Sequence, residues 1–249
     1  MSVQIFKDYN ALSKEAADKI IALIKNKPNA VLCLASGDTP RLAYTLLAEK
    51  AKKEKIDFSQ CSFIGLDEWI GIPPDNAGSC SFFLNSLLFK PLAISPSQIR
   101  MFDGLSKDLA SECSKMDRII REKGGIDLML VGVGMNGHIG FNEPGVSMDL
   151  YAHVVDLDAT TQSVGQKYFT QSTALQQGIT LGLKHFLESR MVILMASGTR
   201  KAEVILSALE GPVTMSLPAS TIRKHPDSFV MLDADAARLL DRKDQPGDL

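Results

Sequence analysis

The fold is decided by residues 126–145, which read IDLMLVGVGMNGHIGFNEPG. Residues 126–133 are almost entirely apolar, which is typical of a strand buried on both faces of a parallel sheet. The stretch 132–145 contains five glycines and one proline, a composition that opposes a long regular helix. The sequence therefore predicts a central strand that ends in a long glycine-rich loop.

Strand-like and helix-like stretches alternate along most of the remaining chain. The predicted strands are 30–35, 62–66, 99–102, 191–196 and 228–232, and the predicted helices are 13–26, 40–53, 81–88, 107–123, 181–188 and 201–210. This alternation is typical of βαβ units, which build a mostly parallel sheet covered by helices. The sequence contains no internal repeat and no linker-like stretch, so it predicts a single α/β domain.

The alternation weakens between residues 147 and 177, where Thr, Gln and Ser are frequent and only 153–157 resembles a strand. Long irregular stretches inside a domain are often functional lids. Residues 147–177 are therefore predicted to form a mobile lid. The last residues, 241–249, are predicted to form a frayed tail.

Composition argues against several classes of partner. The 249 residues carry 27 Lys and Arg against 29 Asp and Glu, and this formal net charge of −2 offers no basic surface to nucleic acid or to an anionic membrane. Apolar runs are far shorter than the roughly 20 residues of a membrane-spanning helix, and the first residues do not resemble an export signal. We therefore expect a soluble cytoplasmic protein with no nucleic-acid and no membrane partner.

The cysteine and histidine patterns predict neither disulfides nor a metal site. Cys33, Cys61, Cys80 and Cys113 form no C-x-x-C pair, and we expect all four to be buried small apolar side chains in a reducing compartment. The four histidines lack the H-x-x-x-H spacing of a zinc site. The acidic residues do not form a magnesium-binding pattern.

Four loops with unusual chemistry follow predicted strands. They are residues 36–40, 67–69, 132–145 and 197–201. Because ligands of open parallel sheets bind beyond the carboxyl ends of the strands, we expect these loops to meet at one site.

Two of these loops, 36–40 and 197–201, have the features of a phosphate site. Each pairs hydroxyl groups with a glycine at the start of a predicted helix, where backbone N–H groups bind anions, and Lys201 would add a positive charge. Taken alone, either loop is better explained by an ordinary helix cap, from Ser36 or Thr39 in the first loop, and by a solvated Lys201 in the second. The presence of both favours phosphate, and the lack of a Walker motif favours a sugar phosphate over a nucleotide.

The glycines of the longest loop match a dinucleotide pattern that we reject. Gly132, Gly134 and Gly137 fit G-x-G-x-x-G after a strand. A dinucleotide site also needs a long helix after the glycines to receive the pyrophosphate, and Pro144 with the further glycines opposes one. We interpret 132–145 as a catalytic loop instead.

The strongest catalytic candidates are one histidine and two acidic positions. His138 and Glu143 are five residues apart in a turn-rich loop, close enough for the carboxylate to orient the imidazole as an acid or base. Asp67 follows a predicted buried strand and precedes Trp69, whose indole would desolvate the carboxylate and raise its pKa toward that of a base. A helix cap or a surface ion pair is the alternative role for Asp67 and Glu68.

Five motifs carry a family resemblance. They are ASGDTP (35–40), GLDEW (65–69), GVGMNGHIGFNEPG (132–145), GITLGL (178–183) and SGTRKAEV (197–204). Together they resemble the amino-sugar 6-phosphate deaminase/isomerase family, whose members act on glucosamine 6-phosphate or galactosamine 6-phosphate. The resemblance implies a three-layer α/β/α Rossmann-like fold, an amino-sugar phosphate as the small-molecule partner, and a reaction without metal or organic cofactor. A homo-oligomer is compatible with it.

The resemblance also implies a role for each candidate residue. Asp67 would be the base that moves a proton between C2 and C1 of the opened sugar, and His138, oriented by Glu143, would protonate the ring oxygen. The implied phosphate ligands are Ser36, Gly37, Asp38, Thr39, Lys201 and, on the lid, Lys167, which stands where many members have an arginine. The implied activity is a deaminating aldose–ketose isomerisation of the hydrolase class, which gives ammonia and fructose 6-phosphate or tagatose 6-phosphate.

Two positions depart from the family pattern. Asn136 stands where glucosamine 6-phosphate deaminases usually have the aspartate of an Asp-His-Glu relay, and this departure favours the galactosamine 6-phosphate branch. Asp38 stands where a glycine or serine is commoner. A carboxylate there would repel phosphate unless it turns away to cap the helix.

Two other functions are alternatives. The related 6-phosphogluconolactonases share the S-G-x-T-P and G-H motifs but have D-E-R where this chain has Asp67, Glu68 and Trp69. A non-catalytic sugar-phosphate sensor is expected to lose the catalytic acids, and this chain retains them. Both alternatives therefore fit the sequence less well than a deaminase.

Overall fold

The computed structural model describes residues 1–241, so nearly all of the tail that we predicted to fray lies outside the described residues. The strands are β1 (Ser2–Phe6), β2 (Val31–Leu34), β3 (Ser62–Gly65), β4 (Asp67–Trp69), β5 (Ile99–Arg100), β6 (Leu128–Gly132), β7 (His153–Asp156), β8 (Gln177–Thr180), β9 (Met191–Ala196) and β10 (Ser228–Asp233). The α-helices are α1 (Tyr9–Asn26), α2 (Asp38–Glu54), α3 (Cys80–Leu84), α4 (Leu109–Glu122), α5 (Ala159–Gly165), α6 (Leu183–Glu188) and α7 (Ala202–Glu210). A π-helical turn at Asn85–Phe89 extends α3.

The main sheet has seven strands, all parallel, in the order β1-β10-β9-β6-β2-β3-β5. The predicted central strand is confirmed as β6, which lies between β2 and β9. The other predicted strands of this sheet are confirmed as β2, β3, β5, β9 and β10. The edge strand β1 was not predicted.

Helices cover both faces of the main sheet and complete the three-layer α/β/α fold. On one face, α1, α2 and α3 enclose Leu32 and Leu34 of β2. On the other, α4, α6 and α7 enclose Val31 and Cys33 of the same strand. This division follows from the period of two along a strand, which sends neighbouring side chains to opposite faces. The four cysteines are buried, as predicted.

A second, three-stranded antiparallel sheet has the order β4-β8-β7. The sequence analysis was wrong here, because it placed Asp67 and Glu68 in a loop and residues 177–180 outside any strand. The three-residue strand β4 exists because it pairs with β8, with Asp67 opposite Thr180. This partner lies far away along the chain, so no local pattern indicated the pairing.

Residues 147–177 contain more regular structure than predicted. The strand expected at 153–157 is confirmed as β7, and it is followed by α5 and by a 3₁₀ turn at Gln166–Tyr168. Leu157 and Leu175 pack with Trp69 and Phe141 in a small apolar cluster. The segment is therefore docked onto the second sheet, and its movement as a lid stays a prediction.

The helices were also compared with the dimensions of a lipid bilayer. None of those in residues 1–241 combines the length and the apolar content that a bilayer crossing requires.

Candidate active site

The four loops that follow β2, β3, β6 and β9 border one cavity of about 710 Å³ at the carboxyl ends of the parallel strands. Its lining includes Ser36, His138 and Lys201 from three of these loops, Asp67 from the start of β4, and Lys167 from the segment 147–177. The fold thus brings the candidates from distant parts of the chain to one place, which is the expected position for a ligand of a parallel sheet.

The Asp67 carboxyl group lies in this cavity at the start of β4 and is only 7% exposed. Burial raises the pKa of Asp67 to about 7; the hydrogen-bonding Cys80 opposes this rise, and the negative charge of Glu68 adds to it. Within residues 1–241 no group donates a hydrogen bond to Oδ1 of Asp67. A desolvated carboxylate with one unpartnered oxygen and a pKa of about 7 is suited to take a proton from a substrate carbon.

Glu68 does not line the cavity and has a structural role instead. It is 2% exposed, and its two carboxylate oxygens accept hydrogen bonds from the backbone N–H groups of Trp69, Cys80 and Ser81 at 2.9–3.0 Å. Glu68 therefore fastens β4 to the start of α3. This contact also fixes Cys80, whose Sγ lies 3.0 Å from Oγ of Ser36 in the same cavity. Sequence reasoning missed Cys80 as a site residue because no motif surrounds it.

We call the hydrogen-bonded group of Asn136, His138 and Glu143 the relay. Its other two members hold the His138 imidazole. Nδ1 of His138 lies 2.7 Å from Oδ1 of Asn136, whereas Oε2 of Glu143 is 3.6 Å away. The amide Nδ2 of Asn136 donates to Oε2 of Glu143 at 2.8 Å. Because a carboxylate only accepts, this contact fixes the amide so that Oδ1 faces the imidazole. Nδ1 of His138 therefore carries a proton, and Nε2 is left for a substrate.

The relay differs from the predicted direct contact between His138 and Glu143, because Asn136 is the nearer partner of the imidazole. Burial opposes ionisation of Glu143, but hydrogen bonds and charge interaction with His138, and further hydrogen bonds from Thr161 and Asn136, hold its pKa below the usual value. Gly134 makes room for the imidazole, since a Cβ there would lie 2.3 Å from Cε1 of His138. No helix follows these glycines, as predicted: residues 133–146 are irregular.

The residues 36–40 all line the cavity, and Gly37, at φ +107°, is the N-cap of α2. Ser36 and Thr39 are therefore not the helix caps of the alternative interpretation. Asp38 does not cap α2 either, because within residues 1–241 no side chain makes a capping hydrogen bond at this helix start. Oδ2 of Asp38 instead lies 2.7 Å from Nζ of Lys167.

The loop 197–201 contributes the positive charges of Arg200 and Lys201 to the cavity, whereas the hydroxyl group of Ser197 is already hydrogen-bonded. Oγ of Ser197 donates to the buried Asp233 carboxylate at the end of β10, so the predicted similarity of the two loops holds only for their sequences. Nζ of Lys201 donates to the carbonyl oxygen of Val133 at 2.6 Å. Burial, together with the positive charges of Lys167 and Arg200, lowers the pKa of Lys201 to about 8, and the negative charge of Asp38 opposes this shift.

The cationic side of the cavity thus contains Lys167, Lys201 and Arg200, of which sequence reasoning missed Arg200. Mutual repulsion among these groups disfavours the charged form of Lys201, and a bound anion would relieve it. This arrangement is suited to a phosphate group. The cavity therefore combines a cluster of cationic side chains with a carboxylate and an imidazole. No group of three or more His, Cys, Asp or Glu side chains in residues 1–241 is placed to hold a metal ion.

Residues 7–231 match the family described as glucosamine-6-phosphate isomerases/6-phosphogluconolactonase, and the chain belongs to this family. It is 38% identical over 245 residues to the glucosamine-6-phosphate deaminase of Thermoanaerobacter pseudethanolicus, covering 98% of this chain and 97% of that protein. It is 40% identical over 224 residues to the glucosamine-6-phosphate deaminase of Lachnoclostridium phytofermentans, covering 90% of this chain and 95% of that one.

Solved structures give the same grouping. A structure of a monomeric glucosamine-6-phosphate deaminase superposes with a TM-score of 0.93 at 35% identity, over 96% of this chain and 100% of that one. The 6-phosphogluconolactonase of Trypanosoma brucei superposes with a TM-score of 0.80 at 19% identity, over 96% of this chain and 98% of the other. The second likeness concerns the fold alone.

Proposed function

We propose that this chain converts an amino-sugar 6-phosphate and water into a ketohexose 6-phosphate and ammonia. The observation that carries the proposal is the joint position of Asp67 and His138 in one cavity, with a cationic phosphate site in the same cavity. Glucosamine-6-phosphate deaminases related at 36–40% identity support the same activity.

The reaction begins with opening of the sugar ring. Protonated His138 gives the Nε2 proton to the ring oxygen, and the relay keeps Nδ1 directed at Asn136 during this transfer. As the C1–O5 bond breaks, the hydroxyl group at C1 loses its proton to water and becomes an aldehyde, which makes the proton on C2 acidic. Because the phosphate is held by the loop 36–40 and by Lys167 and Lys201, C2 stays within reach of the base.

Asp67 then removes the proton from C2 and returns it to C1. The bonding electrons of C2–H form the C1=C2 double bond of an enol amine, while the aldehyde oxygen takes a proton from water. When Asp67 gives its proton to C1, the nitrogen lone pair forms the C2=N bond of a protonated imine. Water adds to this imine carbon and the C–N bond breaks, so that the ketone oxygen comes from water and ammonia leaves. The chemistry is thus an isomerisation followed by hydrolytic loss of ammonia.

The finer proposal concerns the substrate epimer, for which we propose galactosamine 6-phosphate, with tagatose 6-phosphate as the product. It is supported by Asn136, which replaces the aspartate usual in the glucosamine 6-phosphate branch. The Ser36 to Thr39 backbone, Lys167 and Lys201 would bind the phosphate, which both epimers carry. Their contribution is therefore common to both substrates.

A side-by-side assay of ammonia release from the two C4 epimers tests both the deaminase assignment and the epimer assignment. We expect release from both and a higher kcat/KM for galactosamine 6-phosphate. A higher value for glucosamine 6-phosphate would reverse the epimer assignment and leave the deaminase assignment intact. Hydrolysis of 6-phosphogluconolactone without ammonia release from either amino sugar would replace the deaminase assignment with the lactonase alternative. Saturable binding of an amino-sugar phosphate without turnover would replace the deaminase assignment with the sensor alternative.

A further inference from the structure

Helix α5, in the segment 147–177, contacts the relay directly. Thr161 of α5 is 4% exposed, and its Oγ1 lies 3.1 Å from Nδ1 of His138. Asp158, the N-cap residue of α5, donates its backbone N–H to Oε1 of Glu143 at 3.3 Å. The predicted lid therefore contributes one side chain and one backbone group to the surroundings of the proposed acid.

The hydroxyl group of Thr161 has a defined place in the proton arrangement. Nδ1 of His138 is a donor, so Oγ1 of Thr161 shares its proton as a second acceptor beside Oδ1 of Asn136. The hydroxyl proton of Thr161 is then free to point at Glu143, an interaction that helps to keep the pKa of this carboxyl low. Thr161 thus bridges the imidazole and the carboxylate.

The opposite end of the same segment contacts the phosphate side of the cavity. Lys167 follows α5 by two residues and pairs with Asp38 of the loop 36–40. One short stretch, 158–167, therefore touches the relay at one end and the anion site at the other.

We propose that Thr161 is a positioning residue whose hydroxyl group completes the relay and holds His138 in place for proton transfer. The proposal rests on the proposed deaminase function. The proposed role differs from a purely structural role of α5, because it assigns the effect on His138 to the hydroxyl group of Thr161 and not to the bulk of the side chain.

The test compares three variants of the full chain by steady-state ammonia release from galactosamine 6-phosphate and glucosamine 6-phosphate. Thr161→Val removes the hydroxyl group at nearly constant volume, and Thr161→Ser keeps it. Thr173→Val is the matched control, because Thr173 lies in the same segment and its Oγ1 donates only to the carbonyl oxygen of Gln171.

We expect Thr161→Val to lower kcat by about tenfold or more, since a hydrogen bond to charged groups is lost, and to leave KM within about twofold. Thr161→Ser should restore most of kcat, and Thr173→Val should match the wild type. Thermal unfolding of each variant identifies those with a disturbed fold. If Thr161→Val is disturbed, Thr161→Ala removes the same hydroxyl group without the added methyl group and takes its place.

The outcomes separate this inference from the function on which it rests. A wild-type chain that releases no ammonia contradicts the function, and the inference falls with it. An active wild type with a folded Thr161→Val variant of unchanged kcat overturns the inference alone. A loss of kcat that Thr161→Ser does not restore also overturns it, because packing and not the hydroxyl group would then be the cause.

Discussion

Nζ of Lys167 lies 2.7 Å from Oδ2 of Asp38, so a cation of the segment 147–177 is bound by an anion of the loop that faces the phosphate site. This pair explains how an acidic residue is accommodated in a loop of this kind. Both side chains are about half exposed, at 44% and 57%, so the pair adds little to the stability of the fold. Its effect is expected on substrate binding, because a phosphate group competes with Asp38 for the same ammonium group.

The first prediction concerns Asp38→Asn. Removing this carboxylate frees Lys167 and removes a negative charge next to the phosphate, so KM should fall by about two- to fivefold with kcat nearly unchanged. Asp18→Asn is the matched control, since Asp18 also pairs with lysines but lies on α1, away from the cavity lining. A KM that rises in Asp38→Asn would show that Asp38 assists binding.

The second prediction concerns Lys201 and pH. Its pKa is lowered to about 8, so the ammonium group of the free protein loses its proton as the pH rises through 8, and phosphate binding weakens. We expect KM to rise between pH 7 and pH 9. Lys201→Ala should raise KM by about tenfold or more at pH 7 and should abolish most of this pH dependence. An identical rise of KM with pH in the variant would assign the titration to another group.

The third prediction concerns Asn136→Asp, which introduces the aspartate usual in the family. In the wild type the pKa of the Glu143 carboxyl is below its usual value. The variant loses the Nδ2 donor to Glu143 and places a second negative charge beside it, and both changes raise this pKa. Since the relay needs an ionised Glu143, the low-pH limb of the kcat profile should move upward by about one pH unit. A limb that stays in place would remove Glu143 from the control of the acid.

The sequence predicted the main sheet well because each of its central strands is a local feature. A run such as Leu128–Gly132 contains no polar side chain and leads into a glycine-rich loop, so its own residues predict a strand buried in a parallel sheet. The helices on both faces have the same property. Because parallel strands end at the same edge of the sheet, the loops that follow neighbouring strands then lie close together.

Features that depend on distant pairing were not predicted. β4 is a strand only because it pairs with β8. The hydroxyl group of Ser197 is hydrogen-bonded only because Asp233 stands at the end of the neighbouring strand β10. The contact of Thr161 with His138 crosses from α5 to the catalytic loop and leaves no signal in either segment. Spacing brought His138 and Glu143 together correctly, but the insertion of Asn136 between them depends on the path of the loop.

The most direct test of the account compares ammonia release by the wild type, Asp67→Asn and Asp75→Asn at neutral pH. Asp75 is an exposed carboxylate near the end of the loop after β4 and serves as the control. We expect Asp75→Asn to match the wild type, and Asp67→Asn to lose about a hundredfold or more of kcat while KM stays within about threefold, because only proton transfer loses its base. An Asp67→Asn variant that turns over at the wild-type rate would contradict the account.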